Sequence, residues 1–247
     1  MKKKVKKSVI IKTQNQDKCR LGVLLTILSN GKKLPPLLIF KGSKDGKLNK
    51  ELRENQNIKE GKIFIAFNAN AWCTQEIMKI WNEKILRKYM DTLGYMVPNL
   101  LIMDQASMHI TEDIIKEIEK YDTEIIFVPK GLTRILQPLD VSINKPFKTL
   151  IRKKYAEYCC NKNLSYVKIS NNLIINWVSD IWWDEFEINQ NMIKYSFRIT
   201  GISNNLNGSE NLLFKAYDKL REEIVIEQDK DEKEQIAENN SEHEFEE

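Results

Sequence analysis

LLIMDQASMH (residues 100–109) and EIIFVPKGLTRILQPLDVSINKPFK (residues 124–148) are the two stretches that decide the fold. The apolar run 99–103 predicts a buried strand that ends at Asp104, and residues 124–128 predict a second strand. A helix is expected between them, from Thr111 to Tyr121. In α/β folds a buried strand delivers its last residue to the carboxyl edge of the sheet, where ligands usually bind.

The residues on either side of these two stretches predict a mixed sheet with flanking helices. The dipeptide Asn30-Gly31 is a strong hairpin signal. The other expected strands are 8–16, 20–29, 34–42 and 62–67; the other expected helices are 74–93, 140–158 and two within 165–200, and residues 43–60 are expected to be an exposed loop. Three antiparallel strands followed by alternating strands and helices predict an α/β domain.

Asp104 and Asp140 are the candidate metal ligands. Each has an ordinary structural interpretation, because aspartate is common in turns and is a preferred helix N-cap. As a pair they indicate a different chemistry: carboxylates hold hard divalent cations such as Mg²⁺, and two such ions support displacement at phosphorus.

The same two stretches resemble the transposase domain of the pogo/Tigger group, the DDE-1 superfamily endonuclease domain. The matching features are an apolar strand ending at Asp104, His109 five residues later, Val128-Pro129, and Gln137-Pro138-Leu139-Asp140 before a helix. The similarity covers about residues 6–215. It implies an RNase H-like fold, DNA as partner, Mg²⁺ or Mn²⁺ at Asp104 and Asp140, an auxiliary role for His109, and DNA cleavage with strand transfer.

Two departures from the family leave the activity open. No convincing counterpart of the family's first acid is found, since Asp17 lies in a polar turn, and the family's helix-turn-helix region is not recognised. We therefore expect the 247-residue chain to have little or no nuclease activity. The alternatives are a catalytically inactive, domesticated DNA-binding or chromatin protein, and a truncated gene product.

Charge is divided unevenly along the chain. Residues 222–247 hold 12 acidic and 2 basic residues, a net of −10, so the +4 of the whole chain leaves +14 on residues 1–221. A basic body suits a polyanion such as DNA. Basic residues near Asp140 are candidates for a DNA backbone channel, with a solvated helix face as the alternative; they are Arg134, Lys145, Lys148, Arg152, Lys153 and Lys154.

These features together predict three segments: an RNase H-like core lacking its opening strand (1–160), a helical extension (161–221) and a disordered acidic tail (222–247). No apolar run is long enough to cross a membrane. The nucleus is the expected location, and a homodimer is left open. Trp177, Trp182 and Trp183 could stack on bases, but their helical spacing favours the core.

Overall fold

The computed structural model describes residues 9–10, 20–93, 98–104, 112–164, 167–184 and 186–214, with only the backbone at 9–10, 20, 93 and 211. The chain divides into two compact units, residues 1–196 and 197–247. The segment bounds expected from the sequence stay a prediction. His109, Thr111, the Lys-rich start and the acidic tail lie outside the described residues.

The described strands form two sheets. They are β1 (Val9–Ile10), β2 (Arg20–Ile27), β3 (Lys33–Lys41), β4 (Phe64–Asn68), β5 (Asn99–Asp104) and β6 (Thr123–Val128). The first sheet has the order β1-β2-β3-β4; its first three strands are antiparallel, and β4 lies parallel to β3. The second sheet is the parallel pair β5-β6. The predicted mixed α/β fold is confirmed.

The described helices occupy the sequence between and after these strands. They are α1 (Lys47–Leu52), α2 (Gln56–Lys59), α3 (Gln75–Trp81), α4 (Arg87–Leu93), α5 (Glu112–Glu119), α6 (Thr133–Leu136), α7 (Asn144–Asn161), α8 (Asn171–Trp183) and α9 (Gln190–Ile199), with π-helical turns at Asn82–Leu86 and Leu139–Ile143 and a 3₁₀ turn at Asn211–Leu213. No described helix is long and apolar enough to span a membrane.

The β2–β3 hairpin forms where the sequence predicts it. Gly31 has a φ of +91°, and its N–H donates to the carbonyl of Leu28 at 2.9 Å. The side chain of Asn30 accepts from the N–H of Lys32 at 3.0 Å. An Asn-Gly pair suits this turn, because glycine adopts positive φ without steric cost.

The prediction of an exposed loop at residues 43–60 is wrong. This segment contains α1 and α2, and Leu52 is completely buried. Asn55 caps α2 by accepting from the N–H of Asn57 at 3.0 Å. The segment carries too few apolar residues to show a helical period, so burial of Leu52 and local capping decide its structure.

One apolar core of the first unit lies against both sheets. β3 and β4 contribute Leu37, Ile39 and Ala66, helix α3 contributes Met78 and Trp81, and α5 contributes Ile114 and Ile118. From the second sheet, buried Met103 joins this core, with Leu101, Ile125 and Phe127 packed against it. The core therefore fixes one face of the strand that carries Asp104.

Candidate active site

Asp104 is the last residue of β5 and is only 2% exposed. The preceding apolar residues Leu101 and Met103 pack on the core, so the strand is held firmly up to its end. In the parallel ladder Asp104 lies opposite Val128, the last residue of β6. Neighbouring strands are about 4.8 Å apart, so these two strand ends lie side by side.

The connection from Val128 to Asp140 consists of successive turns. The N–H of Leu132 donates to the carbonyl of Pro129 at 3.1 Å, and α6 follows immediately. The N–H of Asp140 then donates to the carbonyl of Gln137 at 3.0 Å. These turns shorten a segment whose 12 residues could extend to about 40 Å.

Asp140 is half-buried and lies in the π-helical turn Leu139–Ile143. The N-cap interpretation of this residue is wrong, because Pro138 holds that position and Asp140 is the second residue of the turn. Its Oδ1 accepts a hydrogen bond from Nδ2 of Asn144 at 2.6 Å, and Oδ2 makes no hydrogen bond to any described residue. A π turn of this kind often marks a functional site, because it redirects side chains within a helix.

Gln137 and Asn144 were missed as site residues by the sequence interpretation. The Oε1 of Gln137 is buried and has no hydrogen-bond partner among the described residues. Such an atom needs an explanation, since nearly all buried polar atoms are paired. Asn144 follows Asp140 by four residues, a helical spacing that places both side chains on one face.

Asp104, Asp140 and Gln137 carry oxygen atoms that are able to bind a cation, namely two carboxylates and one amide oxygen. This donor set suits Mg²⁺ or Mn²⁺ better than softer metals. Within the described ranges, no three His, Cys, Asp or Glu side chains gather as a metal site.

The basic candidates fall on different faces near Asp140. Lys145 and Arg152 are exposed and Lys148 is half-buried, and their spacing of three and four residues places them on one stripe of α7. We call these three residues the α7 stripe. Phe147 and Ile151 bury the neighbouring face of the helix.

The other basic candidates lie apart from this stripe. Arg134 is exposed on α6. Lys153 lies further around α7, and Lys154 forms an ion pair with Asp180 of α8 at 3.2 Å. Both lysines line a shallow pocket of about 140 Å³ between α7 and α8, which also contains the carboxylates of Glu157 and Asp184.

The tryptophans of α8 are mostly core residues, as expected. Trp177 is 7% exposed and Trp182 is fully buried, with its indole N–H donating to the carbonyl of Leu34 at 2.8 Å. Trp183 is half-buried and donates to the carbonyl of Lys62 at 3.1 Å. Burial of Trp177 and Trp182 removes them as base-stacking candidates.

Comparison with known proteins identifies relatives of this sequence. A family model described as DDE superfamily endonuclease matches residues 18–197. The chain is 26% identical over 227 residues to the mouse (Mus musculus) protein called pogo transposable element with KRAB domain, covering 88% of this chain and 35% of that protein. The human (Homo sapiens) protein of that name is 26% identical over 224 residues, covering 87% and 34%.

A human protein called pogo transposable element with ZNF domain is 27% identical over 135 residues, covering 55% of this chain and 9% of that protein. The chain thus spans about a third of the length of the first two relatives. No solved structure matches it.

Proposed function

Because this chain belongs to the DDE superfamily endonucleases, as a pogo-like, transposase-derived member, we propose that it binds DNA and carries part of a metal-dependent phosphodiester-cleaving site. The observation that carries this proposal is the placement of Asp104. Its buried carboxylate ends a strand whose neighbour leads directly into the turns that carry Asp140.

Asp104 and Asp140 are the proposed ligands of Mg²⁺ or Mn²⁺, with Gln137 Oε1 as a further oxygen donor. When bound, the metal supplies activation of water or a DNA 3′-hydroxyl and stabilisation of the leaving oxygen. The chain's own residues set the ligand positions. The buried strand end fixes Asp104, and Asn144 holds Oδ1 of Asp140, which fixes the orientation of that carboxylate.

We propose an RNase H-like arrangement for the first unit. The antiparallel pairing of β1, β2 and β3 and the parallel pairing of β5 and β6 support it. In this arrangement the carboxyl end of β5 carries one acid and the helix after β6 carries another.

His109 keeps its proposed auxiliary role, and the nucleus is the proposed location because the proposed substrate is DNA. Nothing on the described residues favours a homodimer.

Metal binding tests the site independently of activity. Titration of the full chain with Mn²⁺, followed by electron paramagnetic resonance of the free ion, should show binding that both Asp104→Asn and Asp140→Asn weaken. Asp91→Asn, an exposed carboxylate on α4, is the control and should leave binding unchanged. Equal Mn²⁺ binding by all four proteins would refute the assignment of Asp104 and Asp140.

The α7 stripe is the proposed contact with the DNA backbone. Replacing Lys145, Lys148 and Arg152 by Gln should lower affinity for duplex DNA of any sequence. Each lost phosphate contact reduces the slope of log affinity against log salt by about 0.9, so the slope should fall by up to about 2.7. Fluorescence anisotropy over a salt series measures both effects.

The matched control removes three lysines that already have acidic partners. Lys59 pairs with Glu54 at 2.7 Å, Lys116 with Glu112 at 4.0 Å and Lys120 with Glu117 at 3.6 Å. Changing these three to Gln alters net charge equally but should reduce the salt slope much less. Equal losses from the two triple variants would mean that the α7 stripe is not the contact.

DNA binding without cleavage, even with Mn²⁺, would favour the inactive DNA-binding protein over the nuclease.

A further inference from the structure

Trp72 differs from every other tryptophan of this chain, and the structure describes all five. It is 52% exposed, whereas Trp81, Trp177 and Trp182 are 3%, 7% and 0% exposed. The indole N–H groups of Trp81, Trp182 and Trp183 donate hydrogen bonds. The indole N–H groups of Trp72 and Trp177 make none with the described residues, but Trp177 is buried, so Trp72 alone is exposed with neither packing nor hydrogen bonding to explain its position.

The turn that leads to Trp72 is held in place by several contacts. The side chain of Asn68 accepts from the N–H of Asn70 at 2.7 Å, and the N–H of Ala71 donates to the carbonyl of Asn68 at 3.3 Å. Ala71 is 3% exposed and has a φ of +53°. This left-handed conformation costs an alanine about 1–2 kcal/mol, so the surrounding packing must impose it.

A glycine on the adjacent strand allows this turn to lie directly on the sheet. A Cβ added to Gly22 of β2 would be 2.8 Å from the carbonyl oxygen of Ala71. The chain after β4 therefore crosses β3 and is pressed against β2 immediately before Trp72. The result is an indole presented to solvent by a firmly held turn.

The charge near this turn suits a nucleic acid. Lys41 at the end of β3 is exposed and lies opposite Asn68 in the β3–β4 ladder. Residues 1–221 carry a net charge of +14. In a duplex the base faces are covered by stacking, so an exposed indole can stack only on a base that is unpaired.

We propose that Trp72 stacks on an unpaired base of a DNA strand whose backbone Lys41 contacts. This inference rests on the proposed DNA binding and adds a preference for distorted or single-stranded sites. Base–aromatic stacking is sequence-tolerant, because every base has a π face.

The test compares two labelled duplexes of equal length, one fully paired and one with a single unpaired thymine. The full chain should prefer the second by about fivefold to hundredfold, the range that stacking on one aromatic residue supplies. Trp72→Ala should abolish this preference without changing affinity for the paired duplex. Trp72→Phe should retain most of this preference. In the unaltered chain the unpaired thymine should quench the fluorescence of the Trp72 indole, and this quenching should be absent from Trp72→Phe.

Phe186→Ala is the matched control, because Phe186 is another aromatic residue of the first unit and is 93% exposed. It should leave the preference unchanged. If the unaltered chain binds both duplexes equally, or if Trp72→Ala keeps the preference in a folded protein, the stacking inference is wrong while DNA binding stands. If the unaltered chain binds neither duplex at low salt, the proposed DNA binding fails as well.

Discussion

Asp104 and Asp140 acquire their positions through different local structures. Asp104 lies at the buried end of the β5–β6 ladder, in which Leu100 and Ile126 are exposed and Met103 and Val128 are buried. Asp140 is held within a helix, where a π turn and the amide of Asn144 fix its carboxylate. The two aspartates therefore obtain their positions from a strand end and from a helix turn.

Gly22 is the glycine at which an added side chain would make the shortest contact. Gly22→Ala should lower the free energy of unfolding by about 1–3 kcal/mol, because the new Cβ would be forced against the backbone of Ala71. Urea denaturation of both proteins measures the change. Gly46→Ala is the control, since Gly46 precedes α1 with a φ of −70° and its nearest contact would be 3.2 Å. A change at Gly22 no larger than that at Gly46 would contradict the close approach.

Glu210 should make the loop of the second unit sensitive to acid. The N–H of Asn205 and then the guanidinium of Arg198 hold the pKa of Glu210 below its usual 4.5. Because the folded pKa is lowered, this stabilisation is present above 4.5 and is lost as pH falls through the lowered value.

Amide hydrogen exchange at Asn205, whose N–H donates to Glu210 at 2.9 Å, measures this effect. After correction for intrinsic exchange, protection should fall as the pH decreases below 4.5 and through the lowered pKa of Glu210. Glu210→Gln should show no such fall over this range. Constant protection in the unaltered chain would show that the carboxylate does not hold the loop.

Between elements, polar side chains join α2 to α8. Oδ1 of Asn176 accepts from Nδ2 of Asn55 at 3.0 Å and from Nδ2 of Asn57 at 2.9 Å. Oδ1 of Asn57 accepts from Ser179 at 2.9 Å. On other faces α8 uses aromatic contacts: Phe147 meets Trp182, and Tyr158 meets Trp177, both edge to face. Helix α8 is therefore held in place both by aromatic packing and by specific hydrogen bonds.

Asn176→Leu should destabilise the fold by about 1–3 kcal/mol, because it leaves the Asn57 amide without its acceptor in a part-buried interface. Chemical denaturation measures the loss. Gln56→Leu, on the exposed side of α2, is the control and should change stability by about 0.5 kcal/mol or less. Equal effects of the two substitutions would mean that this network adds no specific stability.

Across the whole molecule, charge is divided unevenly along the chain. Removing residues 222–247 raises the net charge from +4 to +14. Exposed charges act over about 10 Å at 0.1 M salt and over longer distances in dilute salt. The acidic tail should therefore weaken attraction to any polyanion most strongly at low ionic strength.

Deletion of residues 222–247 should strengthen DNA binding at low salt, and the gain should shrink as salt rises. Fluorescence anisotropy with one duplex over a salt series measures it. The control replaces the same residues with a neutral Gly/Ser segment of equal length, which should bind as tightly as the deletion. Binding that is unchanged or weaker in both variants would show that the tail's charge does not oppose DNA.

Features that depend on residues close together in the chain were predictable from the sequence. Asn30-Gly31 predicted its hairpin, the run before Asp104 predicted a strand ending there, and the period of Trp177 and Trp182 predicted their burial. These signals are local, because turn chemistry and hydrophobic period need only a few consecutive residues. The family motif at Asp104 and Asp140 was visible for the same reason.

Only the tertiary structure decided the features that depend on residues far apart in the chain. The parallel pairing of β4 with β3, the helices within 43–60, the exposure of Trp72 and the unpaired Oε1 of Gln137 all follow from such contacts. The helical period predicts that Trp182 is buried, but no local pattern predicts that Trp72 is exposed. Trp72 follows a turn that lies against Gly22 of β2, and the indole of Trp182 donates to the backbone carbonyl of Leu34 in β3, so both environments depend on a distant strand.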